Sequence, residues 1–138
     1  MRNPFKVCPI ENPIETKNNF GAPRPGGTGV PHEGCDILAE YGAPIYAPFA
    51  GKVINPSTTA GGLTVILKRN IGKSYVLGHH LSKHAPEGKV KAGDIIGYVG
   101  KIPDPNNPDS KPHLHFEWHP RGKGPVDPYP LLEDLGCG

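Results

Sequence analysis

Glycine and proline fill 37 of the 138 positions, and they fall between β-branched and aromatic runs rather than in one block. Proline removes a backbone donor and breaks a helix interior, and an interior glycine costs a helix about 1 kcal/mol against alanine. A chain punctuated this way cannot build long helices. Such a composition also raises disorder as a reading, but turn residues alternating with apolar runs are what strands separated by turns require. The runs at 51–55, 62–68, 74–80, 94–99 and 113–119 each read as a short strand. Their spacing predicts an antiparallel, mainly β domain. Only 129–135 reads as a helix, short and terminal. Residues 1–18 read as an extended lead-in with three prolines, and 19–31 as loop. The remainder, 19–138, is expected to form a single domain.

Fifteen basic residues against thirteen acidic ones give a net charge of +2. That excludes a strongly basic nucleic-acid binder and leaves room for weak attraction to an anionic polymer. No apolar run reaches the length of a membrane span. The start, Met1 to Lys6, lacks the apolar stretch of a secretory signal. Three cysteines, Cys8, Cys35 and Cys137, are too few for a disulfide scaffold. Cys8 and Cys137 stand near opposite ends and are candidates to pair, which spacing alone does not decide.

Seven histidines carry the chemistry: His32, His79, His80, His84, His113, His115 and His119. Alternate side chains of a strand share a face. In 113–119 this puts His113, His115, Glu117 and His119 on one face and Leu114, Phe116 and Trp118 on the other. The apolar face is the core. The histidine face looks into a groove or into solvent. Upstream, His32 and Asp36 stand four positions apart with Gly34 between them to permit a turn. Two imidazoles and a carboxylate suit zinc, and three protein ligands leave a tetrahedral position open, as a catalytic zinc needs.

Five stretches in order then resemble the lysostaphin/LytM-type zinc endopeptidases. They are Phe20, Gly21 and Arg24; His32, Gly34, Asp36 and Ile37; Gly42 to Val53; His80-Leu81-Ser82 followed by Val90 to Gly100; and Pro112 to Glu117 with Pro125 to Pro128. The resemblance covers about residues 19–132. It implies an antiparallel sheet core of the barrel-sandwich-hybrid type, very little helix, and long loops forming a groove. It implies His32, Asp36 and His115 as zinc ligands, His113 as general base and His80 as second catalytic histidine. His79 competes with His80. A one-residue slip flips strand faces, so only one of the two is expected to enter the groove, and the family's His-Leu favours His80. His84 and His119 read as surface residues.

The implied activity is zinc-dependent hydrolysis of stem or cross-bridge peptides of peptidoglycan by a monomer acting on the cell wall. The missing signal implies release from the producing cell, as with a phage lysis or tail enzyme, or processing from a secreted precursor. The loops 21–31 and 103–112 are the expected groove walls. Some members place a tyrosine in the loop before the first ligand. Here 21–31 contains none, and Arg24 or a backbone amide is the candidate substitute. Cys35 is expected to point away from Asp36 as an apolar filler. Three rivals compete. A catalytically silent module of the same fold would have lost key positions, and all five are present. A lipoyl- or biotinyl-carrier domain needs a Met-Lys-Met or Asp-Lys hairpin that the chain lacks. A structural zinc protein prefers four closed, cysteine-rich ligands.

Overall fold

Strand alternation and turn chemistry produce nine strands and one short helix in the computed structural model, which describes residues 3–23, 31–56, 63–101 and 111–137. The strands are β1 (Glu15–Thr16), β2 (Cys35–Leu38), β3 (Pro44–Tyr46), β4 (Gly51–Ile54), β5 (Leu63–Arg69), β6 (Tyr75–His84), β7 (Gly88–Val90), β8 (Ile95–Val99) and β9 (His113–His119). The helix is α1 (Tyr129–Asp134). The sheet runs β1-β2-β9-β6-β5-β4-β7, and β8 pairs with β6 and carries β3. Every pairing is antiparallel. This is the mainly antiparallel β fold with almost no helix that the turn spacing predicts. Arg24, Gly62 and most of both expected groove walls lie outside the described residues. Among the described residues no helix is long and apolar enough to cross a membrane.

The core lies under the apolar face of β9. Leu114, Phe116 and Trp118 are all buried there. Phe5, from the N-terminal segment, packs edge-on against Phe116 and Trp118 at ring separations of 5.7 and 5.3 Å. Burying such a ring contributes roughly 1.5–3 kcal/mol. Ile10 joins the same core. A Cys8–Cys137 disulfide ties this segment to the C-terminal end. Thr16 Oγ1 donates to the Cys137 carbonyl (2.6 Å), and Asn3 Nδ2 donates to the Leu131 carbonyl (2.8 Å). Leu132 of α1 is fully buried.

Two local features place the site. A Cβ at Gly34 would stand on the Phe116 carbonyl, so glycine lets the start of β2 close onto β9. That closure sets Asp36 opposite His115. The second feature is a bulge in β6. Leu63 pairs with Leu81 and Thr64 with His79, which leaves His80 as the extra residue, at φ 70°. A bulge inserts one extra residue into a strand and re-aims the side chains around it.

Candidate metal centre

Three donor atoms converge between β2 and β9. His32 Nε2 lies 3.2 Å from Asp36 Oδ1 and 3.1 Å from His115 Nδ1, and His115 Nδ1 lies 3.5 Å from Asp36 Oδ1. Ligand atoms on a tetrahedral zinc stand about 3.3 Å apart for bonds of roughly 2.0–2.1 Å. The other ring nitrogens are engaged. His32 Nδ1 donates to the Asn19 carbonyl (3.1 Å), and His115 Nε2 donates to Glu117 Oε2 (2.8 Å). Asp36 Oδ2 accepts from Asn19 Nδ2 (3.1 Å), whereas Oδ1 is buried and makes no hydrogen bond. Two nitrogen lone pairs and an orphaned carboxylate oxygen therefore face one another. A cation, or an added proton, relieves that arrangement, and this donor set suits zinc.

The electrostatics follow from the same contacts. Burial would raise the Asp36 carboxyl, but the facing His115, His113 and His32 rings and the Asn19 amide hold it well below the usual carboxylate range. Burial would lower His115, but the nearby Asp36 carboxylate and the hydrogen bond to Glu117 push it up to about 9 in the metal-free chain. Cys35, fully buried beside Asp36, is pushed up to about 12 by burial and then by the charges of Asp127 and Asp36. It is an inert thiol packed in the core.

His113 faces the three donors from the start of β9. Its Nδ1 donates to the Lys111 carbonyl (3.0 Å), and its Nε2 faces Asp36 Oδ1 at 3.9 Å. The His80 ring lies 5.1 Å from that of His113 and 6.1 Å from that of His115. His79 is 5.4 Å from His115 as well. Both consecutive histidines thus reach the cluster, contrary to the expectation that strand alternation admits only one. The bulge at His80 is the reason. His79 shares a hydrogen bond with the buried Thr64 hydroxyl (2.8 Å).

Beyond the half-buried His113, the histidine face of β9 is buried like its apolar face. His119, expected at the surface, is buried (6% exposed). Its ring stacks on Tyr75 at 4.4 Å, and its Nε2 bonds Glu117 Oε1 (2.7 Å). His84, also expected at the surface, is half-buried, and its Nε2 donates to the Thr64 carbonyl (2.8 Å). A second group, His79, His115 and Glu117, also brings donor atoms together. It would use His115 Nε2, the nitrogen already bonded to Glu117. Asn19 escaped the sequence reading. It braces Asp36 twice and His32 once, and nothing distinguishes it from other loop asparagines before the fold is known.

A family model for peptidase family M23 matches residues 30–128. The chain belongs to peptidase family M23. Within M23 it is 33% identical to lysostaphin of Staphylococcus simulans over 150 residues, covering 99% of this chain and 30% of that protein. It is 33% identical to the glycyl-glycine endopeptidase ALE-1 of Staphylococcus capitis over 131 residues, covering 88% of this chain and 35% of that one. The chain therefore spans about a third of the length of these relatives. Among solved structures, lysostaphin from Staphylococcus simulans matches this M23 chain with a TM-score of 0.79 at 28% identity, over 99% of this chain and 56% of that one. The family assignment agrees with the lysostaphin/LytM-type resemblance of the ordered motifs.

Proposed function

We propose that the chain is a zinc-dependent endopeptidase that hydrolyses peptide bonds in the stem or cross-bridge peptides of peptidoglycan. The observation that carries this reading is the set of three donor atoms within 3.5 Å of one another, one of them an unbonded buried carboxylate oxygen. A solved structure described as a zinc-containing peptidase from Vibrio cholerae adds support, at TM-score 0.70 and 28% identity over 88% of this chain and 38% of that one. The relative ALE-1 is named a glycyl-glycine endopeptidase, which supports a peptide substrate built of small residues.

His32 Nε2, Asp36 Oδ1 and His115 Nδ1 would hold the zinc ion, which would supply Lewis acidity and acidify water near neutral pH. His113 has the geometry of the general base, because its Nδ1 is committed to a backbone carbonyl and its Nε2 faces the ligands. It orients the attacking water and takes its proton. His80, opposite His113, donates a hydrogen bond to the peptide oxygen as charge develops there. Donors so placed contribute about 3 kcal/mol in comparable sites. A protonated imidazole then returns the proton to the leaving amine.

The test is release of new amino groups from purified sacculi of several bacterial types, with identification of each new N-terminal residue. Release by zinc-loaded protein and none after chelation is expected, and the new N-terminus names the bond. No release from any wall with zinc bound would contradict the endopeptidase reading in favour of the silent module.

A further inference from the structure

We propose that Glu117 and His119 are positioning residues for the metal centre: they hold His115 with Nε2 protonated, so that Nδ1 is left for the metal. The inference rests on the zinc reading above and extends it to groups that touch neither metal nor substrate.

His115, Glu117 and His119 occupy alternate positions of β9 and so share one face of a single strand. Glu117 sits between the two rings and uses both oxygens. Oε2 accepts from His115 Nε2 at 2.8 Å, and Oε1 accepts from His119 Nε2 at 2.7 Å. The far nitrogen of His119, Nδ1, donates to the Lys123 carbonyl at 2.9 Å. Both nitrogens of His119 face acceptors, which fixes the ring between Glu117 and Lys123. That ring also lies flat on Tyr75, 4.4 Å away and 8° from parallel.

The chain end that closes this row is specially bent. The single 3₁₀ turn Pro120–Gly122 carries positive φ at Arg121 (60°) and Gly122 (71°) and returns the Lys123 carbonyl to His119. A non-glycine residue in that conformation is uncommon and strained.

The row is nearly sealed from water, with His115, Glu117 and His119 only 5%, 7% and 6% exposed. A buried carboxylate is costly unless charge and hydrogen bonds compensate it. His119 supplies such a hydrogen bond from behind and fixes the Glu117 carboxylate in place. Glu117 then presents a fixed acceptor to His115 Nε2, which selects the His115 tautomer. His79 Nε2 stands at 3.8 Å from the same Oε2, on the flank nearest the ligands. Outer partners of metal-bound histidines are typically worth 10–100-fold in metal affinity.

The test is zinc affinity by chelator competition on folded wild type, Glu117→Gln and His119→Phe. Glutamine offers one acceptor oxygen where glutamate offers two, so Glu117→Gln is expected to bind zinc about 10–100-fold more weakly. His119→Phe keeps the stack on Tyr75, removes both ring nitrogens and is expected to lose about tenfold. Equal affinity of wild type and both variants, within twofold, overturns the inference and leaves the zinc reading standing. Absence of zinc binding by wild type overturns both. Should a variant fail to fold, ¹⁵N NMR of zinc-loaded wild type decides. A His115 ring protonated at Nε2, with a slowly exchanging proton, is expected. Protonation at Nδ1 with Nε2 on the metal contradicts the inference.

Discussion

His79 and His80 are neighbours in β6, yet the rings of both lie within 6.1 Å of the His115 ring. The bulge at His80, where Leu63 pairs with Leu81 and Thr64 with His79, makes this possible. Their partners differ. His79 bonds the buried Thr64 hydroxyl on the adjacent strand, whereas His80 stands opposite His113.

This difference predicts different mutants. His80→Ala is expected to lower turnover about 10²–10³-fold, the cost of one lost transition-state donor, with zinc content unchanged. His79→Ala is expected to lower the melting temperature and keep turnover within a few-fold. Steady-state rates on peptidoglycan, with metal content and thermal unfolding of each variant, check this. The reverse ranking would give the second catalytic role to His79.

Metal-free protein is expected to lose stability as pH rises from about 6.5 to about 9. His115 is raised in the fold to about 9 from an ordinary 6.5. A group raised on folding contributes stability that is full below its unfolded pKa and is lost as pH passes through its folded one. The loss is at most about 3 kcal/mol. Asp36 and Glu117 are held low, so their contribution is constant in this window and falls only in acid. Bound zinc replaces the proton on His115 and should flatten the decline. Thermal melts across pH 6–9, with and without zinc, measure it. A metal-free melting temperature that rises toward pH 9 would contradict the account.

Reduction of Cys8–Cys137 is expected to be costly. The bond spans 129 residues of sequence, and the chain-entropy picture assigns a closed loop of that size about 5 kcal/mol. A fall in melting temperature of about 10 °C or more on reduction, or in Cys8→Ser, is the expected result. An unchanged melting temperature would show that Phe5 and Ile10 anchor the N-terminal segment without the bond. Such disulfides persist in oxidising surroundings, as the proposed action on peptidoglycan would require.

Much of this was legible from residue order. β9 matches its expected span, and Leu114, Phe116 and Trp118 enter the core as alternation requires. The expected helix at 129–135 appears as Tyr129–Asp134. His32, Asp36 and His115 come together from segments about eighty residues apart, as the ordered motifs imply. Other features had no local signal. β2, β3 and β7 are three or four residues long and exist because neighbouring strands offer them partners. The bulge falls on a histidine rather than a glycine. His119 is buried by Tyr75 and Lys123, whose approach depends on the β6 pairing and on the turn after β9.

The division of labour within His113-Leu114-His115 is the central claim, and one paired measurement tests it most directly. Zinc content and turnover would be determined for His113→Ala and His115→Ala beside wild type. The account predicts that His113→Ala keeps its zinc and loses turnover by at least about 10²-fold, whereas His115→Ala loses both. A fully active His113→Ala, or a His115→Ala that retains stoichiometric zinc, would contradict it.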